Sequence, residues 1–220
     1  MNKAETNVEE NISDHEIISR VLGGDKELYA LIVRRYNQRL YRVGMSVIND
    51  DVEVEDIMQV AYIKAYENLS KFSFRSAFST WLTRILINES LLRLKRRKMS
   101  STLNGMIMNN NLCGSNNVED HTPASKILNS ELKHILEKAI SNLPEKYRTV
   151  FIMREIENMN VAETKECLAI SEVNVKVRLN RAKALLRNSL ETLYHKEDLY
   201  HFHLSRCNHI AEKVLRQLNS

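Results

Sequence analysis

The run Asp50, Asp51, Glu53, Glu55 and Asp56 is the kind of cluster from which a metal-dependent nuclease draws its ligands. Metal catalysis needs carboxylates that converge on one cavity. Consecutive acids at the start of a helix instead point around it, and the helix dipole accounts for them. His201, His203, Cys207 and His209 are types that bind zinc, but their spacing matches no closed structural pattern. No metal and no cofactor are expected.

A different chemistry is suggested by residues 78–98, "FSTWLTRILINESLLRLKRRK", which hold the single tryptophan and end on Arg93, Lys95, Arg96, Arg97 and Lys98. Each basic residue in a helix's last turn gains only ~0.3–1 kcal/mol from the dipole, so five together point to phosphate neutralisation. Trp81, Ile85, Asn88 and Leu92 share one helical row, with Ile87, Leu91 and Leu94 nearly opposite. A helix apolar on two sides is expected between two layers of a core, and Asn88 on such a row needs polar partners. Residues 160–187 have helix-turn-helix form, with the turn near Ala169, Ile170 and Ser171. On the second helix Val175, Leu179, Ala182 and Leu186 make an apolar stripe. Lys176, Val177, Asn180, Arg181 and Ala184 lie opposite, as a helix with its front in a major groove requires.

The elements that carry these residues are helical throughout. Five Gly and two Pro among 220 residues, with 27% charged, argue for an all-α protein. The net charge of +4 does not by itself demand nucleic acid; its clustering is the informative feature. Cys113, Cys167 and Cys207 include no Cys-x-x-Cys pair and suit free thiols in a reducing cytoplasm. No apolar run approaches ~18 residues, so neither a signal peptide nor a membrane span is expected.

Four helices are expected before residue 99. The first is capped by Ser13 and Glu16 and stops at Gly23-Gly24. The second covers about 25–47. The third, expected to begin after the acidic run, buries Val54, Ile57, Met58, Ala61, Ala65 and Leu69. Its outward face mixes Asp56, Gln59, Val60, Ile63, Tyr66 and Glu67, a mixture suited to a basic protein partner rather than to water alone. Residues 99–126, rich in Asn, Ser and Gly, read as a flexible tether whose ends lie roughly 30 Å apart. Beyond it come one amphipathic helix, a second opened by Pro144, the helix-turn-helix, and a last helix around 206–218.

Together these pieces resemble bacterial RNA polymerase sigma factors of the extracytoplasmic-function (ECF) group. The stretch from "DVEVEDIMQVAYIKAYENLSKF" to "LKRRK" is similar to that family's region 2, and "NLPEKYRTVFIMREIENMNVAETKECLAISEVNVKVRLNRAKALLR" to its region 4. The resemblance implies two small helical domains, region 2 at 14–98 and region 4 at 127–190, joined by the linker 99–126, with a C-terminal extension at 191–220. It implies a cytoplasmic protein that is not an enzyme and whose partners are core RNA polymerase and promoter DNA. An anti-sigma factor is compatible with it, and the residues do not decide that point.

Residue by residue, Asp56, Gln59, Tyr62 and Ile63 match the helix that grips the polymerase's largest subunit. Phe72 and Asn88 match the positions around a base flipped from the minus-ten strand, with Arg75 in the neighbouring loop as a further DNA-binding candidate and Arg93, Arg96 and Arg97 on the phosphates. Lys176, Val177, Asn180 and Arg181 match the base-facing positions for the minus-thirty-five element, with Ser171, Asn174 and Arg178 on sugar and phosphate. The chain departs from the pattern at Val60, where Glu is usual, and at Phe74 and Arg75, where Gly and Asp are common. Lys165 replaces a small buried Ala, and Ala169 the turn Gly. A left-handed Ala costs roughly 1 kcal/mol, so that turn is expected to be slightly rearranged. Two alternatives from other functional classes are an autonomous helix-turn-helix regulator, which would have no use for the region 2 helices, and the metal nuclease.

Overall fold

Local signals place the helix ends. Ser13 accepts a hydrogen bond from Glu16 N at 3.2 Å and starts α1 (Asp14–Leu22). After a 3-10 turn at Lys26–Leu28, α2 runs over Tyr29–Ile48 and ends on Asn49 in the left-handed region, φ 57°. Asp50 then caps α3 (Asp51–Glu67), its carboxylate accepting from Glu53 N at 3.1 Å. The acidic run therefore does not precede α3 but forms its first turns, where the dipole favours negative charge. A 3-10 turn at Leu69–Lys71 leads to α4 (Phe78–Leu103), which continues beyond residue 98.

The computed structural model describes residues 12–103 and 125–191, together with Ile210, Lys213, Val214 and Gln217; side chains in 101–103 and 125–131 are not described. The tether expected between the halves lies largely outside the described residues, as do Cys113 and the His201, His203, Cys207 and His209 group. The second half opens with α5 (Ser125–Ser141). Pro144 stands just before α6 (Glu145–Phe151) with an extended ψ of 136°, as its cap rather than as its first helical residue. A π-helical turn, Ile152–Ile156, carries the chain to α7 (Val161–Leu168), which begins in a reciprocal capping box between Asn160 and Glu163. The last continuous helix is α8 (Glu172–Glu191). Among the described residues there is no strand, and no helix is long and apolar enough to cross a membrane.

The core begins with the expected stripes. Ile32, Leu40, Val43 and Val47 of α2 pack with Val54, Ile57, Ala61 and Ala65 of α3 and with Leu82, Leu86 and Ile87 of α4, all buried. Fully burying one such side chain contributes ~1.5–3 kcal/mol. Helices α2 and α3 approach closely at Gly44, where a Cβ would lie 2.7 Å from Val54 Cγ1.

The reading of α4 as apolar on two buried sides is corrected. Its core face is Phe78, Leu82, Leu86 and Ile87, with Thr80, Thr83 and Ser90 buried beside them. Leu91 and Leu92 are exposed, Trp81 and Ile85 half-buried, and Asn88 exposed. Asn88 is therefore not a satisfied core amide.

The two halves also share a core. Met153, Met159 and Cys167 from the second half are buried in the same cluster as α2 and α4. Arg148 Nε and Thr149 Oγ1 both donate to Ser46 O, at 2.7 and 3.2 Å. A smaller core of Ala139, Leu143, Ala182 and Leu186 holds α5 and α8 together.

Because the χ1 angle of Val54 is stiff, Gly44→Ala should displace α3 from α2 and destabilise the chain by about 1–3 kcal/mol. Chemical denaturation checks this; an unchanged midpoint would show that α2 and α3 part without cost.

Candidate nucleic-acid interface

Half-burial of Trp81 and Ile85 on α4 leaves a cleft above them. Its other walls are Asn88 and Glu89 from α4, with Lys64, Asn68 and Lys71 from the end of α3 and the following turn, enclosing about 340 Å³. Lys64 Nζ is paired with Glu89 at 2.6 Å, and Lys71 Nζ donates to Asn68 Oδ1 at 2.8 Å. An indole, an exposed amide and two ammonium groups around an open cavity can stack a planar ring, hydrogen-bond its edge and neutralise an adjacent anion.

Beneath the cleft lies an aromatic cluster. Phe72, although matched to a base-facing position, is buried: its ring sits 5.1 Å from Trp81, 5.3 Å from Phe78 and 4.7 Å from Phe74. It supports Trp81 from below. Phe74 and Arg75 are exposed. Phe74 holds a left-handed φ of 55°, where a side chain is strained and Gly is favoured, and its ring also meets His15 at 4.7 Å. Packing between two rings offsets that strain, and so Phe is accommodated in the loop.

The basic end of α4 divides in two. Arg93 and Arg97 reach back to Glu53 of α3, at 3.7 and 3.4 Å, whereas Lys95 and Arg96 lie on exposed turns. Glu53 thus serves as a counter-ion, which the sequence concealed within the acidic run. Nor do the other acids gather: Asp50 caps α3 and Asp51 accepts from the Tyr41 hydroxyl at 2.5 Å. Among the described residues no three His, Cys, Asp or Glu side chains come together as a metal ion requires.

On the far side of α3, Asp56, Gln59, Val60 and Ile63 are exposed, with Ile63 at 58%. A second groove, of about 460 Å³, runs beside them between α2 and α3, lined by Val33, Asn37, Gln38, Tyr41, Glu55, Met58, Gln59 and Tyr62. Tyr62 differs from its neighbours. It is only 7% exposed, its hydroxyl donates to Val33 O at 3.1 Å, and its carbonyl accepts from the Tyr29 hydroxyl at 2.8 Å. Burial of Tyr29 and Tyr62 raises both hydroxyl pKa values well above the usual range. Tyr62 forms the floor of the groove and fixes α2 to α3.

In the helix-turn-helix, α7 ends on Ala169 in the left-handed region, φ 51°, so the Ala takes the conformation of the usual Gly and the expected rearrangement of the turn does not occur. Lys165 reaches across the turn to Glu172 at 2.7 Å, joining α7 to α8 in place of a small packed residue. This contact holds the Glu172 carboxyl below its ordinary pKa. Ser171 Oγ caps α8 by accepting from Asn174 N at 3.2 Å, which leaves its hydroxyl proton able to donate elsewhere. Val175, Ala182 and Leu186 are buried; Asn174, Lys176, Val177, Asn180 and Arg181 are exposed, and Arg178 sits half-buried on the flank. Arg181 Nη1 donates to the Tyr147 hydroxyl at 3.2 Å, lowering the tyrosine's pKa. Tyr147 was not singled out by sequence; its ring packs on the smaller core and its hydroxyl meets Arg181.

The regions that carry these two surfaces are similar to known proteins. Residues 32–99 match Sigma-70 region 2 and residues 133–186 match Sigma-70, region 4. The chain is 32% identical over 179 residues to the ECF RNA polymerase sigma factor SigW of Bacillus subtilis (strain 168), covering 80% of this chain and 96% of that one. It belongs to the ECF group of RNA polymerase sigma factors. The ECF RNA polymerase sigma-E factor of Escherichia coli (strain K12) is 30% identical, with 84% of this chain and 97% of that one covered. Among solved structures, the fold is shared with the sigma factor RpoE of Bartonella quintana in complex with the anti-sigma factor NepR, at TM-score 0.60, 19% identity and coverage of 74% and 96%. It is also shared with CnrH in complex with the cytosolic domain of CnrY, at TM-score 0.53, 20% identity and coverage of 80% and 96%.

Since Ala169 carries a backbone strain that Gly would not, Ala169→Gly should stabilise this sigma factor by up to about 1 kcal/mol. Lys165→Ala should cost less than about 1 kcal/mol, as for other exposed pairs. Denaturation midpoints of the two variants, moving in opposite directions, check both expectations.

Proposed function

We propose that the chain binds core RNA polymerase through the outer face of α3, receives an unpaired minus-ten base in the α4 cleft, and reads the minus-thirty-five element with α8. The observation that carries this reading is Asn88. An exposed amide that lines one cleft with a half-buried indole and two lysines has no packing role, whereas a flipped base supplies the ring, edge and phosphate that these groups recognise. Extracting a base costs a few kcal/mol, and Trp81 replaces part of the lost stacking.

In this scheme Asp56, Gln59 and Ile63 make the polymerase contact, and Tyr62 shapes the groove from beneath. Phe72 positions Trp81; Arg75 and Arg96 lie near the strand's phosphates, while Arg93 and Arg97 reach them on leaving Glu53. On α8, Lys176, Val177, Asn180 and Arg181 face bases, with Ser171, Asn174 and Arg178 on the backbone. The sigma factor acts in the cytoplasm as a polymerase subunit and catalyses no reaction itself. An anti-sigma factor, the partner class of the Bartonella quintana relative, is included as a further partner.

Transcription in vitro with core polymerase tests the scheme. Asp56→Arg combined with Gln59→Ala should weaken core binding in competition with another sigma factor, with helical content intact. Asn88 is exposed, so Asn88→Ala should leave stability unchanged and reduce permanganate-detected melting while closed complexes still form. Arg181→Ala should relax preference at one base pair of the minus-thirty-five element, an effect of about 1–3 kcal/mol. Arg178→Ala should weaken binding evenly across a promoter library and flatten its salt dependence. Identical sequence profiles for the two arginine variants would overturn the division of roles on α8.

A further inference from the structure

The outermost line of α8 is apolar. At 3.6 residues per turn, Val173, Val177 and Ala184 fall within about 20° of the direction opposite the buried Val175, Ala182 and Leu186. Val173 is 68% exposed and Val177 42%, and Ala184 is exposed as well. Neither valine is a member of either core. On propensity alone Val is a poor choice for a solvated helical position. These two side chains therefore serve neither the packing nor the helix.

What flanks the line is polar. Lys176 and Asn180 lie on one side of it and Asn174 and Arg181 on the other, all exposed. Glu172, the acid nearest the row, is tied to Lys165 at 2.7 Å. The centre of a protein interface is depleted of charge, whereas Lys176 and Arg181 stand within about one turn of the valines. A major groove fits such a row better: the flanks meet phosphates and base edges, and the centre lies deepest, against the floor. That floor presents donors, acceptors and a single apolar group, the thymine 5-methyl. A valine has nothing with which to read a donor or an acceptor. Its β-branch holds both methyls at one χ1 angle in a helix, so it offers a fixed apolar surface at little entropic cost.

We propose that Val173 and Val177 read thymine methyl groups, so that the minus-thirty-five element of this sigma factor carries thymine at two neighbouring places. The inference rests on the assignment of α8 to that element. The two residues are about 6 Å apart along the helix, close to two base-pair steps of about 3.4 Å. The thymines accordingly stand one or two steps apart, on the same strand or on opposite strands. Asn180 and Arg181 read polar base edges beside them.

Transcription by the full chain with core polymerase, from a promoter library randomised at the minus-thirty-five element, should enrich thymine at two such places. Deoxyuridine at either place removes the methyl and keeps every donor and acceptor. Each replacement should weaken promoter binding by the polymerase–sigma complex about fourfold, the equivalent of burying one such group. In Val177→Ala that penalty should vanish at one place and persist at the other, and Val173→Ala should show the converse. Both positions are exposed and Ala favours a helix, so denaturation midpoints should not fall. A preferred element without these thymines would overturn the methyl reading and leave α8 as the reader of the element. So would deoxyuridine penalties that are absent, or equal in the parent and both variants. Loss of core-polymerase binding by the valine variants without DNA would assign the row to a protein partner and overturn it as well. Should Arg181→Ala, Val173→Ala and Val177→Ala all leave the library profile unchanged, the assignment of α8 itself falls.

Discussion

The buried guanidinium of Arg148 is the contact from which the arrangement of the molecule follows. Within its own half Nη1 donates to Ser141 O at 2.7 Å and Leu143 O at 3.3 Å, carbonyls at and just beyond the end of α5. Across the junction Nε donates to Ser46 O in the last turn of α2. One cation thereby sits between two helix C-termini, where orphan carbonyls and the negative dipole ends both favour it. Desolvation lowers its pKa, yet an arginine so surrounded stays charged, and a buried charge with hydrogen-bonded partners is the tolerable kind. No carboxylate hydrogen-bonds to it, and Glu145 favours its charge only through space. Helix ends meet its donors, so their positions are fixed: α5 must end near α6, and α2 must present its last turn to both.

From that junction the placement of α4 follows. It packs on α2 and α3 through Leu82, Leu86 and Ile87, and its early turns meet α7. The flank facing neither contact is the one bearing Trp81, Ile85 and Asn88. The cleft exists because α2, α3 and α7 pack on other faces of the helix and leave this strip uncovered. Its depth comes from Phe72 and Phe78, which hold Trp81 on its inner side.

Much of this was legible in the sequence, and the exceptions share a cause. The cap at Ser13, the stripes of α2 and α3, and the buried row of α8 are local, and one residue type reports each of them. The face of α4 was misassigned because Thr83 and Ser90 count as polar in sequence yet bury completely. Each hydroxyl donates to a carbonyl of its own helix, Ser79 O at 2.7 Å and Leu86 O at 2.9 Å, and so behaves as a small apolar group. With those residues read as solvent-facing, the Trp81 row looked like core. The junction between the halves was invisible for the same reason, since Arg148, Thr149, Glu157 and Glu163 all read as surface. The helix-turn-helix was legible, but the Lys165 pair with Glu172 and the Tyr147 contact to Arg181 depend on side chains whose partners lie on other helices. Phe74 was visible as a departure; the two rings that hold it in place were not.

The charge distribution completes the picture. The basic end of α4 and the acidic start of α3 are not independent features, because Glu53 lies between Arg93 and Arg97. Such partly exposed pairs are worth only ~0–1 kcal/mol, and they are screened beyond about 8 Å at physiological salt. A phosphate backbone, with counterion release adding to each contact, can displace Glu53 readily, whereas a stray anion has little to gain. Lys95 and Arg96 stand outside that pairing and are exposed. Self-neutralisation thus explains how a chain with net charge of only +4 can present a concentrated basic surface at one place. The charge of Arg93 and Arg97 is held against Glu53, the acid of the neighbouring helix.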